Sequence, residues 1–183
     1  MTKDNTTDTP QRVAEMLRVD HAGEYAAVAI YKGQQAVFNR HQDTQDIAKQ
    51  LKEMESEEQK HLDAFDALLV ERRVRPTAMA PLWNIAGYGL GVVTALMGEK
   101  AAHACTEAVE TVIEQHYADQ VEELEYQGME PELAQTFAEF REDELHHRDI
   151  ALEGGAKEAP AYGLLSSVIK TGCRIAIKIT EKI

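Results

Sequence analysis

Ile47, Leu51, Met54, Phe65 and Leu68 belong to a series with alternating steps of four and three, the inward stripe of a bundle helix; Glu58 and His61 sit in the middle of it. Leu133, Phe137, Phe140 and Ala151 form a second stripe, interrupted in the same way by Glu144 and His147. A chain that buries both faces needs partners for two carboxylates and two imidazoles, because an unpaired carboxylate in a helix core costs several kcal/mol. In an E-x-x-H pair the two side chains stand about 60° apart around the helix and one turn apart along it, so both can reach one metal ion. By count the motif says little. With 22 Glu and 7 His in 183 residues, chance supplies about 0.8 matches. Its position inside two apolar stripes carries the information.

Further carboxylates lie at related spacings. Glu24 is the one charged residue, with His neutral, between His21 and Tyr31, amid Ala22, Ala26, Ala27, Val28 and Ile30. It precedes Glu58 by 34 residues, and a step of 34 back from Glu144 reaches Glu110, so the chain reads as two similar halves. Glu107 and Glu114 share a face with Glu110 and leave that choice open. Asp143 with His146 is a competing D-x-x-H pair, on a stripe that runs through Thr136 and Glu139 and reads as solvent-facing. Asp20, His21 and Asp143 are candidates to orient ligands, although helix surface is the simpler expectation for each. One Glu from each of two helices plus E-x-x-H from two others is the ligand set of ferritin-like di-iron and di-manganese carboxylate bundles. Oxygen-rich donors with one imidazole per metal suit iron or manganese, and iron is expected here, two ions per chain.

The rest of the chain supports an all-α fold. Ala, Glu and Leu dominate, aromatics make up 6%, and breaks at Pro76/Pro81, Gly128/Pro131 and Gly154–Gly155/Pro160 predict six helices. These are expected near 9–40, 43–70, 81–97, 99–127, 131–152 and 161–182, within one domain spanning 12–183 after a flexible segment, 1–11. A net charge of −13 argues against a nucleic-acid partner. Cys105 and Cys173 form no CxxC motif, which fits a reducing compartment. The first eleven residues show neither signal-peptide nor transit-peptide patterning, so a cytosolic location is expected. Gly87, Gly89 and Gly91 are followed by no phosphate-binding Lys and do not form a P-loop.

From Pro76 to Gly98 no residue is charged. Pro81, Asn84, four glycines and Thr94 dilute this run, and a span here would put the halves of the metal site on opposite sides of a membrane, so an interfacial helix is expected instead, with Trp83 and Tyr88 near the headgroups. In the last helix Lys170, Arg174, Lys178 and Lys182 form a basic stripe beside Leu165, Val168, Ile169, Ile175 and Ile179, a pattern that favours anionic membrane surfaces.

Five segments carry a resemblance: Arg18-Val19-Asp20-His21-Ala22-Gly23-Glu24-Tyr25, Arg73-Val74-Arg75-Pro76-Thr77, Pro81-Leu82-Trp83-Asn84, Ala104-Cys105-Thr106 and Ala159-Pro160-Ala161-Tyr162. Together with both E-x-x-H pairs they resemble the demethoxyubiquinone hydroxylase family from about Arg12 onward. The resemblance implies a ferritin-like four-helix bundle with two additional membrane-facing helices. It further implies a di-iron monooxygenase that uses O₂ to hydroxylate the ring of a polyprenylated demethoxyubiquinone late in ubiquinone biosynthesis. The family's iron ligands carry over onto Glu24, Glu58, His61, Glu110, Glu144 and His147, which selects Glu110 over Glu107. His116 and Tyr117 match a His-Tyr pair suggested to pass electrons between quinone and iron. The chain departs from the family pattern at Arg148, where a second His of a His-His pair is expected.

A greasy channel between the third and last helices would receive the isoprenoid tail. No Rossmann or flavin fingerprint is present, so reducing equivalents come from outside; the resemblance implies NADH, with the quinone relaying electrons. Other ubiquinone-biosynthesis proteins are possible partners. Peripheral attachment to the cytoplasmic face of a bacterial inner membrane, or to the mitochondrial inner membrane for a processed eukaryotic chain, is the matching location. Iron storage in a ferritin-like shell and a lipid-binding scaffold with merely structural carboxylates are the rival functions.

Overall fold

The computed structural model describes residues 10–183. It contains six helices, α1 (Gln11–Phe38), α2 (Gln45–Glu71), α3 (Ala80–Leu96), α4 (Glu99–Gln127), α5 (Pro131–Glu153) and α6 (Tyr162–Thr180), with two single 3₁₀ turns and no strand among the described residues. Their limits fall close to those expected from the breaks. Of the expected flexible segment, residues 1–9 lie outside the described residues, and Gln11 already opens α1. Proline stands in the first turn of α3 and of α5, where its missing N–H would be unpaired in any case. Gly128 ends α4 at φ 62°, the left-handed conformation that closes a helix without a Cβ clash.

Two apolar clusters lie one behind the other along the bundle. The first joins Val13, Met16 and Leu17 of α1 to Phe65 and Leu69 of α2, Tyr117 and Leu124 of α4, and Leu133 and Phe137 of α5. The second joins Tyr31 and Phe38 to Ile47, Leu51 and Met54, with Ala95 and Ala102. On every one of the four helices the polar residues singled out above fall between these clusters in chain order. Glu24 lies between Leu17 and Tyr31, Glu58 and His61 between Met54 and Phe65, Glu110 between Ala102 and Tyr117, and Glu144 and His147 between Phe137 and Ile150, which packs against the second cluster. Apolar packing at both ends thus closes a polar middle away from water.

The remaining two helices cover this unit. α3 lies against α1 through glycine: a Cβ added to Gly91 would stand 2.1 Å from the Ile30 carbonyl oxygen, and one at Gly87 would stand 2.6 Å from that of Ala26. The glycine cluster that does not form a P-loop is therefore a close backbone approach. α6 lies against α4, where Lys170 pairs with the buried Glu107 at 2.9 Å and Tyr162 and Ser166 hydrogen-bond the same carboxylate. Lys170, expected on the outward basic stripe, is thereby drawn inward, because a buried carboxylate needs a cation more than the surface does; Arg174, Lys178 and Lys182 remain exposed. Among the described residues no helix is long and apolar enough to cross a membrane.

Candidate metal centre

α1 and α4 each bring one glutamate to the middle of the bundle, and α2 and α5 each bring a Glu-x-x-His pair. Glu24, Glu58, His61 and Glu144 offer ligand atoms within 4.8 Å of one another, and Glu58, Glu110, Glu144 and His147 do the same. Glu58 and Glu144 belong to both groups. All six side chains are at most 3% exposed. Glu107 stands apart on Lys170, and Glu114 is taken by Arg141 and Arg148, so neither alternative from α4 joins the cluster.

The imidazole nitrogens decide what the cluster can hold. Nδ1 of His61 lies 3.3 Å from Glu144 Oε1 and 3.7 Å from Glu24 Oε2, and Nδ1 of His147 lies 3.0 Å from Glu58 Oε1. None of these contacts has hydrogen-bond geometry. Both Nδ1 atoms, Oε1 of Glu58 and both oxygens of Glu144 are buried without a hydrogen-bond partner. On the far side of each ring the opposite holds: His61 Nε2 lies 3.0 Å from Asp143 Oδ2, and His147 Nε2 lies 2.8 Å from Glu57 Oε2. A carboxylate on Nε2 fixes the N–H there and leaves the Nδ1 lone pair facing the other donors, the usual orientation of a metal-binding histidine. The convergent, unpaired donors therefore fit cations.

Each terminal glutamate is also tied down. Tyr117 donates its hydroxyl to Glu24 Oε1, and Tyr31 donates to Glu110 Oε1 at 2.9 Å. These contacts cross between halves of the molecule. Glu24 and Glu110, Tyr31 and Tyr117, Glu57 and Asp143, Glu58 and Glu144, and His61 and His147 are each 86 residues apart, and every tyrosine and outer carboxylate serves the opposite half. Tyr31 and Glu57 were not singled out in the sequence. An acidic residue immediately before each E-x-x-H, and a Tyr seven residues after each lone Glu, are the signals that would have found them.

Charge follows from this geometry. Burial pushes the carboxyls of Glu58 and Glu110 well up, reinforced by the neighbouring Glu144, whereas Glu144 is held down at about 2 because His147 and His61 outweigh its burial. Burial alone would lower both imidazoles, but the facing carboxylates push His61 up to about 11 and His147 up to about 12. Without a cation the negative charge is thus met by protons, and metal uptake must release them.

Asp20 and His21, expected on the helix surface, are buried. Asp20 contacts His116 and Gln120, while His21 Nε2 lies 3.0 Å from Asp66. Asp143 does lie outward, yet it reaches His61. Arg148 turns to Glu114 and Asp149, away from the centre.

An apolar groove of about 390 Å³ runs beside the cluster, lined by α1, α3, α4 and α6. Gly23 and Val109, the residues preceding Glu24 and Glu110, are in its wall, as are Trp83, Leu90, Ile169 and Cys173.

All-helical chains whose buried carboxylates and imidazoles can hold metal ions are the class that this fold and cluster define. Within that class, residues 11–180 match the family described as ubiquinone biosynthesis protein COQ7, and the chain belongs to it. It is 46% identical over 171 residues to a 3-demethoxyubiquinol 3-hydroxylase of Rhodospirillum rubrum, covering 93% of this chain and 78% of that one. It is 44% identical over 185 residues to the human mitochondrial NADPH-dependent 3-demethoxyubiquinone 3-hydroxylase (100% and 82%). The mitochondrial 5-demethoxyubiquinone hydroxylase of Saccharomyces cerevisiae is 39% identical over 182 residues (92% and 77%).

Proposed function

We propose that this protein is a ferritin-like di-iron monooxygenase, with residues 12–183 as its hydroxylase domain, that hydroxylates the ring of a polyprenylated demethoxyubiquinol. The observation that carries the proposal is the set of buried, unpaired donor atoms on Glu58, Glu144, His61 and His147, beside a groove that is almost wholly apolar. Glu24, Glu58 and His61 would hold one iron and Glu110, Glu144 and His147 the other, with Glu58 and Glu144 shared. Bound iron supplies the redox chemistry that activates O₂.

The chain's own residues do the positioning. Asp143 and Glu57 hold the two imidazoles, and Tyr117 and Tyr31 hold the terminal glutamates. The groove wall of small side chains, among them Ala22, Gly23, Ala26 and Ala27, takes a planar ring close to Glu24 and excludes water around it. The isoprenoid tail leaves between α3 and α6. Leu82, Ile85, Val93 and Leu96 of α3 and Leu164, Val168 and Ile175 of α6 are exposed beside Arg174 and Lys178, which supports peripheral attachment of these two helices to an anionic membrane surface. The location that matches this reading is the cytoplasmic face of a bacterial inner membrane, or the inner mitochondrial membrane in a eukaryote. His116 and Tyr117 are assigned the electron path between quinone and iron, with the Tyr117 hydroxyl on Glu24 as support. The reductant is a nicotinamide nucleotide: the sequence resemblance implies NADH, the human relative is named for NADPH, and both belong in the assay.

Anaerobically purified protein given O₂, NADH or NADPH and a short-chain demethoxyquinone should contain about two irons per chain and add one hydroxyl per quinone. Iron that is oxidised without product would indicate storage instead. Tightly held quinone without iron would indicate a scaffold.

A further inference from the structure

Beside the metal centre lies a second polar cluster, two members of which, Asp20 and Gln120, have no role in the proposed function. Asp20 of α1, one helical turn before Glu24, is 4% exposed. Its Oδ1 accepts from Gln120 Nε2 at 3.0 Å and lies 3.2 Å from His116 Nε2, while Gln120 Nε2 and His116 Nε2 are themselves 3.0 Å apart. Asp20 Oδ2 is buried with no partner. The His116 side chain keeps 16% of its surface and so retains access to water.

Three atoms in mutual contact cannot form three hydrogen bonds here. The carboxylate only accepts, the amide nitrogen only donates, and the imidazole nitrogen does either. With a proton on Nε2, His116 and Gln120 both donate to Asp20. Without it, Gln120 donates to both Asp20 and His116. Two bonds form in either state, so Nε2 can lose and regain a proton while Asp20 stays bonded to Gln120. Three groups act on His116 by their charge: Asp20 and Arg12 on α1, and Glu181 just past α6. Burial lowers the imidazole, and Asp20 and Glu181 more than offset both burial and Arg12, leaving it raised. Burial raises Asp20 against the pull of His116 and Gln120. A proton passing from His116 to Asp20 thus turns an ion pair into two neutral groups in a dry setting, which keeps the transfer cheap.

We propose that Asp20, with Gln120, is a positioning residue that keeps His116 as a refillable proton donor for the hydroxylation, the half-buried imidazole sharing its proton with the buried Asp20 carboxylate. This rests on the hydroxylase reading and adds a proton path to it. The balance requires such a donor. A ring C–H, O₂, a reduced nicotinamide and one proton give a ring C–OH, water and the oxidised nicotinamide. The C–H bond and the O–O bond break, the hydride supplies two electrons, and one proton per turnover comes from solution. His116 gives that proton from Nε2 and takes another from water.

The test is Asp20→Asn in the full chain, with His116→Gln as a second variant. In wild-type protein without metal, the His116 ring resonances should titrate above the ordinary histidine range, and in Asp20→Asn they should move down toward it. In the iron-loaded enzyme the alkaline limb of the kcat profile should shift to lower pH, with kcat at pH 8 falling about 10–100-fold and KM changing less than about twofold. Asp20→Glu should restore the profile in part. His116→Gln should abolish the limb. An unchanged His116 titration in folded Asp20→Asn, or an unchanged kcat profile in either variant, overturns the proposal. Failure of the hydroxylase reading would show separately, as wild-type protein that makes no product while His116 still titrates high.

Discussion

Four of the six ligand candidates in this chain, Glu24, Glu110, His61 and His147, are held by side chains outside the cluster, and the two kinds of residue should fail differently. Glu144 faces both imidazoles, at 3.3 Å from His61 Nδ1 and 3.5 Å from His147 Nδ1. Glu144→Ala should therefore reduce hydroxylation to background and iron content by half or more, while far-ultraviolet circular dichroism still reports a helical protein. Asp143 and Glu57 act only through the rings they orient. Asp143→Ala and Glu57→Ala should each weaken metal binding by about 10–100-fold in a chelator competition, with the iron stoichiometry recovered at high metal concentration. Equal losses for all three variants would mean that the outer carboxylates are ligands rather than supports.

At the scale of the helix, α3 and α6 are held by different physics. Backbone contact fixes α3, so Gly91→Ala, whose methyl meets the Ile30 carbonyl at 2.1 Å, should lower unfolding free energy by about 1–3 kcal/mol in urea. Gly89 has open space at the same point, and Gly89→Ala should raise stability by up to about 1 kcal/mol through helix propensity alone. α6 is held by the apolar packing of Ile169 on Cys105, Ala108 and Val109 and by charge. Burial pushes the Glu107 carboxyl up, but Lys170, Thr111 and Tyr162 more than reverse this and hold it below its ordinary value. A depressed carboxyl contributes stability that is present above its unfolded pKa, about 4.3, and is lost as the pH falls through the folded value. The urea midpoint of the wild type should accordingly drop as pH is lowered below about 4.3, and Lys170→Met should flatten that drop.

Considered whole, the molecule joins a dry polar middle, two apolar ends and an open greasy flank. Ala176 and Trp83 line the groove on that flank, and the Trp83 indole donates to Thr180 at 3.0 Å. If the tail leaves by this route, Ala176→Phe should slow turnover of a long-chain demethoxyquinone while a short-chain analogue is hydroxylated at the wild-type rate. Equal rates on both substrates would place the tail elsewhere.

The stripes through Glu58–His61 and Glu144–His147 were legible because a helical period is a local property. Chain order alone tells which positions on one helix share a face, and a polar pair inside an apolar face has few physical excuses. The six helices and their limits were legible for the same reason, from proline and glycine breaks. Glu110 was less so, since Glu107 and Glu114 share its face and only contact with α6 and α5 shows each of those two already paired. The partners of Asp20, Tyr31 and Glu57 were not legible: they lie 79 to 100 residues away on other helices, and no periodicity within one helix reports which side chain a neighbour presents. Lys170 reads as one more member of a basic stripe until α6 is laid on Glu107. The sequence by itself determined the class of fold and the kind of donors at its centre, because both follow from local pattern and residue chemistry. Which nitrogen of each imidazole faces inward, which carboxylate holds it there, and where a ring can approach were decided only when the helices packed.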